Sequence, residues 1–175
     1  KRTLIAMLLV GLCAATASAG ALDGHAAAFN DGVKTWTGST MFDNGTGVAG
    51  YVDWAVFGPG VFPYSGYSPT AGEMTYAFQV FNTGTDVISS FSVSLANVAD
   101  NIGSFSDLSG DATSSETLFP LVKAEWAFAG MVTGNNSQGL AFSTPKVPQD
   151  LFGLVIDGGT FSVVIPLPSP SGTDI

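Results

Sequence analysis

The side chains that could do chemistry in this sequence are carboxylates and aromatic rings. Asp53 stands beside Trp54, and Glu125 beside Trp126. Two acids about 5–10 Å apart across a sugar-binding cleft are the machinery of glycoside hydrolysis. Both pairs, however, sit in stretches whose apolar residues alternate with period two. Adjacent strand residues point to opposite faces, so each acid is turned away from its tryptophan. With the tryptophans in a core, Asp53 and Glu125 are expected on outer faces as ordinary solvated carboxylates, and no catalytic residue is assigned.

The chain has one histidine, His25. A Ser-His-Asp hydrolase would have to use it, and no Gly-x-Ser-x-Gly elbow accompanies it. It is expected to be an exposed bystander in a mobile segment near the N-terminus of the body. One imidazole and one cysteine do not furnish a tetrahedral zinc site.

Calcium suits the composition better, because a hard cation takes several oxygen ligands. Asp100, Asn101, Asp107, Asp111 and Glu116 crowd one stretch, and Asp43 with Asn44 forms a smaller group. The spacing is not that of an EF-hand, and the same residues are common turn formers. Ca²⁺ held by Asp100, Asp107, Asp111 and Glu116 is the one cofactor reading that the residues offer.

Residues 57–67 form an aromatic loop containing Phe62, Tyr64 and Tyr67. Such rings could stack on sugars and make the domain a carbohydrate-binding module. They could equally fold down and cap one end of the core, which is the favoured reading. Asn44-Gly45-Thr46 and Asn135-Asn136-Ser137 match the N-glycosylation pattern, which matters only in a eukaryotic secretory path.

The elements that must position these groups read as strands. In residues 73–81, Met74, Tyr76, Phe78 and Val80 share one face. In residues 88–95, Phe91, Val93 and Leu95 alternate with Ser90, Ser92 and Ser94, a half-buried strand with a serine-lined solvent face. Asn82-Thr83-Gly84-Thr85-Asp86 supplies turn chemistry between them, so residues 73–95 read as a hairpin. Residues 50–57, 122–128, 140–143, 154–156 and 161–165 are further strands, and residues 33–41 an early one. Residues 21–30 read as a short turn or a strand lead-in. Residues 58–72 and 100–117 read as long loops. The prolines from Pro166 to Pro170 make the tail a linker, because proline cannot donate to a ladder.

Lys1 and Arg2 precede an uncharged run from Leu4 to Ala15, and Ala17-Ser18-Ala19 provides the small residues that signal peptidase requires. The run is shorter than the roughly 20 residues of a membrane-spanning helix. Residues 1–19 therefore read as a bacterial-looking signal peptide, with Gly20 the expected mature N-terminus. Cys13 lies inside it, preceded by Leu12 where a lipoprotein signal wants a small residue, so lipidation is not expected. Loss of Lys1 and Arg2 takes the formal charge from −9 to −11. An acidic, arginine-free body is a poor partner for nucleic acid and for anionic lipid. Extracellular polysaccharide and other surface proteins are the partners that remain, with no membrane insertion of the mature chain.

The export signal, the thiol-free β-rich body with Tyr76-Ala77-Phe78-Gln79-Val80-Phe81-Asn82-Thr83-Gly84-Thr85, and the end Ile165-Pro166-Leu167-Pro168-Ser169-Pro170 together resemble bacterial exported proteins of the PEP-CTERM sorting-signal group. In that group the tail leads into Pro-Glu-Pro, an apolar helix and a basic cluster. Residues 1–175 contain none of the three, so no functional residue is carried over. The resemblance implies an envelope or biofilm-matrix component without catalysis.

The expectation is thus an all-β antiparallel sandwich, jelly-roll or immunoglobulin-like, of seven or more strands; a barrel of the same strand count would read alike. Residues 1–19 are the signal peptide, 20–166 the domain, and 167–175 a Pro/Ser-rich linker. The function expected is that of a secreted or cell-surface, non-enzymatic protein, with a carbohydrate-binding module using loop 57–67 as the alternative.

Overall fold

The computed structural model describes residues 21–157 and 162–175, so the expected signal peptide lies outside the described residues. Among these there are ten strands and no helix: β1 (Thr37–Asp43), β2 (Ala49–Phe57), β3 (Met74–Asn82), β4 (Ile88–Ser94), β5 (Asp100–Phe105), β6 (Thr113–Phe119), β7 (Lys123–Met131), β8 (Gly139–Thr144), β9 (Lys146–Asp157) and β10 (Ser162–Asp174). They build two five-stranded sheets, ordered β1-β2-β3-β8-β5 and β10-β9-β4-β7-β6. Every pairing is antiparallel. This is the expected β-sandwich.

Period-two patterning explains the interior. Val52, Val56, Tyr76, Phe78, Leu140 and Phe142 of the first sheet meet Phe91, Val93, Trp126, Phe128, Val155 and Ile165 of the second in one buried cluster. Phe78 lies 5.6 Å from Phe91 and 6.2 Å from Trp126, ring centre to ring centre, so the two sheets touch through aromatic contacts. Trp54 also faces this cluster and is half-buried.

The hairpin expected over residues 73–95 does not form. β3 pairs with β2 and β8, while β4 pairs with β7 and β9. The intervening turn is an arch that carries the chain from one sheet to the other. Both strands are apolar on one face, and the fold sets those faces opposite each other instead of side by side. Buried Asn82 ties the arch: its Nδ2 donates to the carbonyls of Asp86 and Met131, each at 2.8 Å, and its Oδ1 accepts from the Gly84 amide at 3.0 Å. The serine face of β4 is not a solvent face either. Ser92 is buried, because β4 is a central strand and Ser92 lies between Glu125 and Leu154 in register.

Two expected loops are strands. Residues 100–117 contain β5 and most of β6, each an edge strand with one neighbour. Their polar sequences, DNIGSF and TSSETLF, are partly exposed and carry little alternation to read. The expected linker 167–175 forms most of β10, at the opposite edge of the second sheet. Pro166, Pro168 and Pro170 fall at alternate positions, paired with Phe152, Asp150 and Pro148. All three therefore turn their donor-less nitrogens to the open edge, where no ladder bond is needed. The Pro166 carbonyl points the same way and accepts from the Thr40 hydroxyl of β1 at 3.2 Å. Leu167 is buried in the core and Ser169 Oγ donates to the Ser94 carbonyl at 2.7 Å, which anchors the tail.

Candidate functional site

The loop of residues 58–72, which carries nearly all of the aromatic stretch 57–67, does not cap an end of the sandwich. It lies across the outer face of the first sheet as a third layer. The outward residues there are small or apolar: Ala55 and Phe57 of β2, Ala77 of β3, Ala141 of β8 and Phe105 of β5. They form a second buried cluster with Leu22, Tyr67 and Leu108, against which Phe62 and Tyr64 pack half-buried. Phe62 makes edge-on contacts with Phe57, Tyr67 and Phe105 at 5.2–5.7 Å, and Tyr64 stacks on Phe105 at 5.0 Å. Two glycines admit the rings. A Cβ on Gly139 would stand 2.2 Å from the Phe105 ring, and one on Gly103 would stand 2.8 Å from Tyr67.

His25 belongs to the same layer and not to a mobile lead-in. Its ring meets Phe57 edge-on at 5.1 Å and Tyr64 at 5.8 Å, and its Nδ1 accepts from the Ala27 amide at 3.1 Å. The segment is fastened further by Thr37 Oγ1 donating to the Leu22 carbonyl at 2.5 Å and by Tyr64 Oη donating to the Ala21 carbonyl at 3.1 Å.

The carboxylates do not converge on one point. Asp53 and Glu125 occupy the outer faces of opposite sheets, so the whole sandwich stands between them. Asp53 is not the solvated group expected: it is 1% exposed, between Ser39 and Gln79 in register, because the outer face of its sheet is covered. Glu125 is half-buried and paired with Lys123.

The expected calcium ligands are spread over different contacts. Asp107 accepts from the Ser65 amide at 2.7 Å and from the Ser65 hydroxyl at 2.7 Å, which hold its carboxyl below the usual range and pin the middle of the loop. Asp111 faces the Asn135 side-chain amide at 3.1 Å. Glu116 accepts from the Thr113 hydroxyl at 2.9 Å. Asp100 accepts from the hydroxyls of Thr70 at 3.1 Å and Ser143 at 3.2 Å. Among the described residues no group of three or more His, Cys, Asp or Glu side chains is placed to hold a metal ion.

One grouping went unread in the sequence. Glu73 and Asp100, 27 positions apart in the numbering, meet where the loop returns to β3, with their carboxyl groups within hydrogen-bonding reach. Burial first, and then Asp100, raise the Glu73 carboxyl above its usual range. Tyr67 stands beside them, its hydroxyl donating to the Asn101 carbonyl, and burial pushes its phenol well up. No local motif marks such a pair, since only the β3-β8-β5 order brings it together.

Among the clefts of the described residues are two beside these groups. One of about 260 Å³ is lined by Gly60, Phe62, Pro69, Thr70, Ala71 and Gly72 on the loop. The other, of about 370 Å³, lies among Asp111, Ala112, Ala129, Gly130 and Asn135. No family model, no curated protein and no solved structure matches the chain.

Proposed function

We propose that this chain is an exported, non-enzymatic component of a bacterial cell surface or extracellular matrix, acting through an acidic, hydroxyl-rich sandwich surface. The observation that carries the reading is the fate of the aromatic loop. Phe62, Tyr64 and Tyr67 are turned onto the first sheet and build the molecule's third layer, so the groups best suited to gripping a ligand serve cohesion. Asp53 and Glu125, on opposite faces, offer no shared cleft for acid–base work. A body with no cysteine after Cys13 gains from such a layer outside the cell, since its stability rests on packing alone. The resemblance to the PEP-CTERM group points the same way, with polysaccharide or other surface proteins as neighbours.

Carbohydrate binding is the second reading, and the loop cleft bordered by Phe62 favours it. Expression of residues 1–175 in a bacterial host, with fractionation and mass analysis, tests the proposal. A product beginning at Gly20 outside the cytoplasm, with no saturable binding to a panel of polysaccharides, supports it. An uncleaved cytoplasmic product overturns export, and saturable glycan affinity transfers the function to the second reading.

A further inference from the structure

The loop 58–72 is held to the sheet at several places, among them Asn101 of β5, whose carbonyl accepts from the Tyr67 hydroxyl and whose side-chain amide donates to the Ser68 carbonyl. Its middle is pinned by Asp107 on Ser65. Its return to β3 is closed by a compact polar cluster. The Thr70 amide donates to Ser143 Oγ at 3.2 Å, and the single Ser143 hydroxyl proton has two acceptors in reach, Thr70 Oγ1 at 3.1 Å and Asp100 Oδ1 at 3.2 Å. Thr70 Oγ1 also reaches Asp100 Oδ1 at 3.1 Å, and the Glu73 amide closes the turn on the Thr70 carbonyl at 3.2 Å. Asp100 thereby joins the end of the loop to β5, and Ser143 joins it to β8.

Into this cluster Glu73 brings a second carboxyl. Its Oε2 is buried without a hydrogen-bond partner, while the Ser143 hydroxyl near the carboxyl favours the ionised form and is outweighed by burial and Asp100. Two carboxylates are both acceptors and cannot hydrogen-bond to each other, whereas one carboxylic acid and one carboxylate can. A buried oxygen without a donor is also tolerated far better on a neutral group than on an ion. We propose that the Glu73–Asp100 pair is a proton-set latch on the aromatic loop. With Glu73 protonated, its hydroxyl donates to Asp100 and the loop is closed on β5 and β8. With both ionised they repel, and the loop loosens from the outer face of the first sheet. Loosening uncovers an apolar surface comprising Ala55, Phe57, Ala77, Phe105 and Ala141.

The groups facing the pair are Tyr67 on the loop, which feels both carboxyls, and Glu116 of β6 beyond it. Glu73 feels no charge other than Asp100. Elsewhere on the loop, Asp107 holds Ser65, and His25 packs on Tyr64. The raised Glu73 carboxyl gives stability that is complete below its ordinary value of 4.5 and lost as the pH climbs through the raised one. Asp107 has the opposite sign: its contribution is present above 3.8 and lost only as the pH falls further. The loop is therefore tightest in a mildly acidic window and looser at neutral pH.

Amide exchange of the purified protein, corrected for the intrinsic pH dependence of exchange, tests the latch. Protection of residues 58–72 should be about two- to fivefold higher at mildly acidic than at neutral pH, the size of a like-charge repulsion between sheet neighbours. Glu73→Gln, whose amide donates to Asp100 at any pH, should hold the acid level of protection at neutral pH and lose the step. Asp100→Asn serves as a second variant if the first does not fold, and should also lose the step. Equal protection at both pH values in the unaltered protein overturns the latch. So does a step that survives in the folded variant.

Discussion

The indole Nε1 of Trp126, in the second sheet, donates to the carbonyl oxygen of Gly103, in the first, at 2.9 Å. The position where Gly103 would carry a side chain lies against the ring of Tyr67. One glycine thus connects all three layers: a hydrogen bond reaches it from across the core, and the loop rests on it from outside.

Gly103→Ala should displace the Tyr67 ring, because the new methyl would begin 2.8 Å from Tyr67 Cδ2. The expected cost is about 1–3 kcal/mol of stability, typical of overpacking. Urea denaturation measures it, and an unchanged midpoint would show that the loop yields freely.

Trp126→Phe keeps an aromatic ring in the core and removes the donor to Gly103. A loss of about 1–3 kcal/mol is expected from the buried carbonyl left without its partner. The comparison with Gly103→Ala is informative, since both act on the same residue and their effects should not be additive.

Asn82→Ala removes the side chain that binds two carbonyls and one amide in the arch between β3 and β4. A cost of about 2–3 kcal/mol is expected from the unmet groups, read as a lower thermal midpoint. The variant tests whether the chain's change of sheet depends on this residue.

Much of this architecture was legible in the residues. Met74, Tyr76, Phe78 and Val80 alternate so regularly that their inward face was evident, and Trp126 could be placed opposite Glu125 by the same rule. Partner choice was not legible. Nothing in Asn82 to Asp86 distinguishes a hairpin turn from an arch, because the difference lies in which distant strands fill the sheet. Pro166, Pro168 and Pro170 misled for a related reason. Proline excludes a strand only where its nitrogen must donate, and at an open edge it need not. Buried Asp53 shows a third limit: alternation assigns a side chain to a face, and only the rest of the folded chain decides whether that face meets water.

Acid should weaken the protein through Asp31 as well. Its carboxylate accepts from the amides of Val33 and Lys34 and from Trp36 Nε1, all at 2.8 Å, and lies below its ordinary 3.8, with the Lys34 amide as the largest cause. A depressed carboxyl contributes stability that is present above 3.8 and disappears as the pH falls through the lowered value. Asp31→Asn should therefore be less stable than the unaltered protein at neutral pH, with a shallower acid limb in melting temperature against pH. Parallel acid limbs would contradict the assignment.

The account's central claim is that the aromatic loop is a structural layer. The most direct measurement is the unfolding free energy of Tyr67→Ala, set beside titration of the same protein with polysaccharides. Tyr67 is 7% exposed, so truncation should cost about 3 kcal/mol or more, and neither protein should give a saturable heat with glycan. Unchanged stability, together with a glycan affinity present in the unaltered protein and lost in the variant, would contradict the claim.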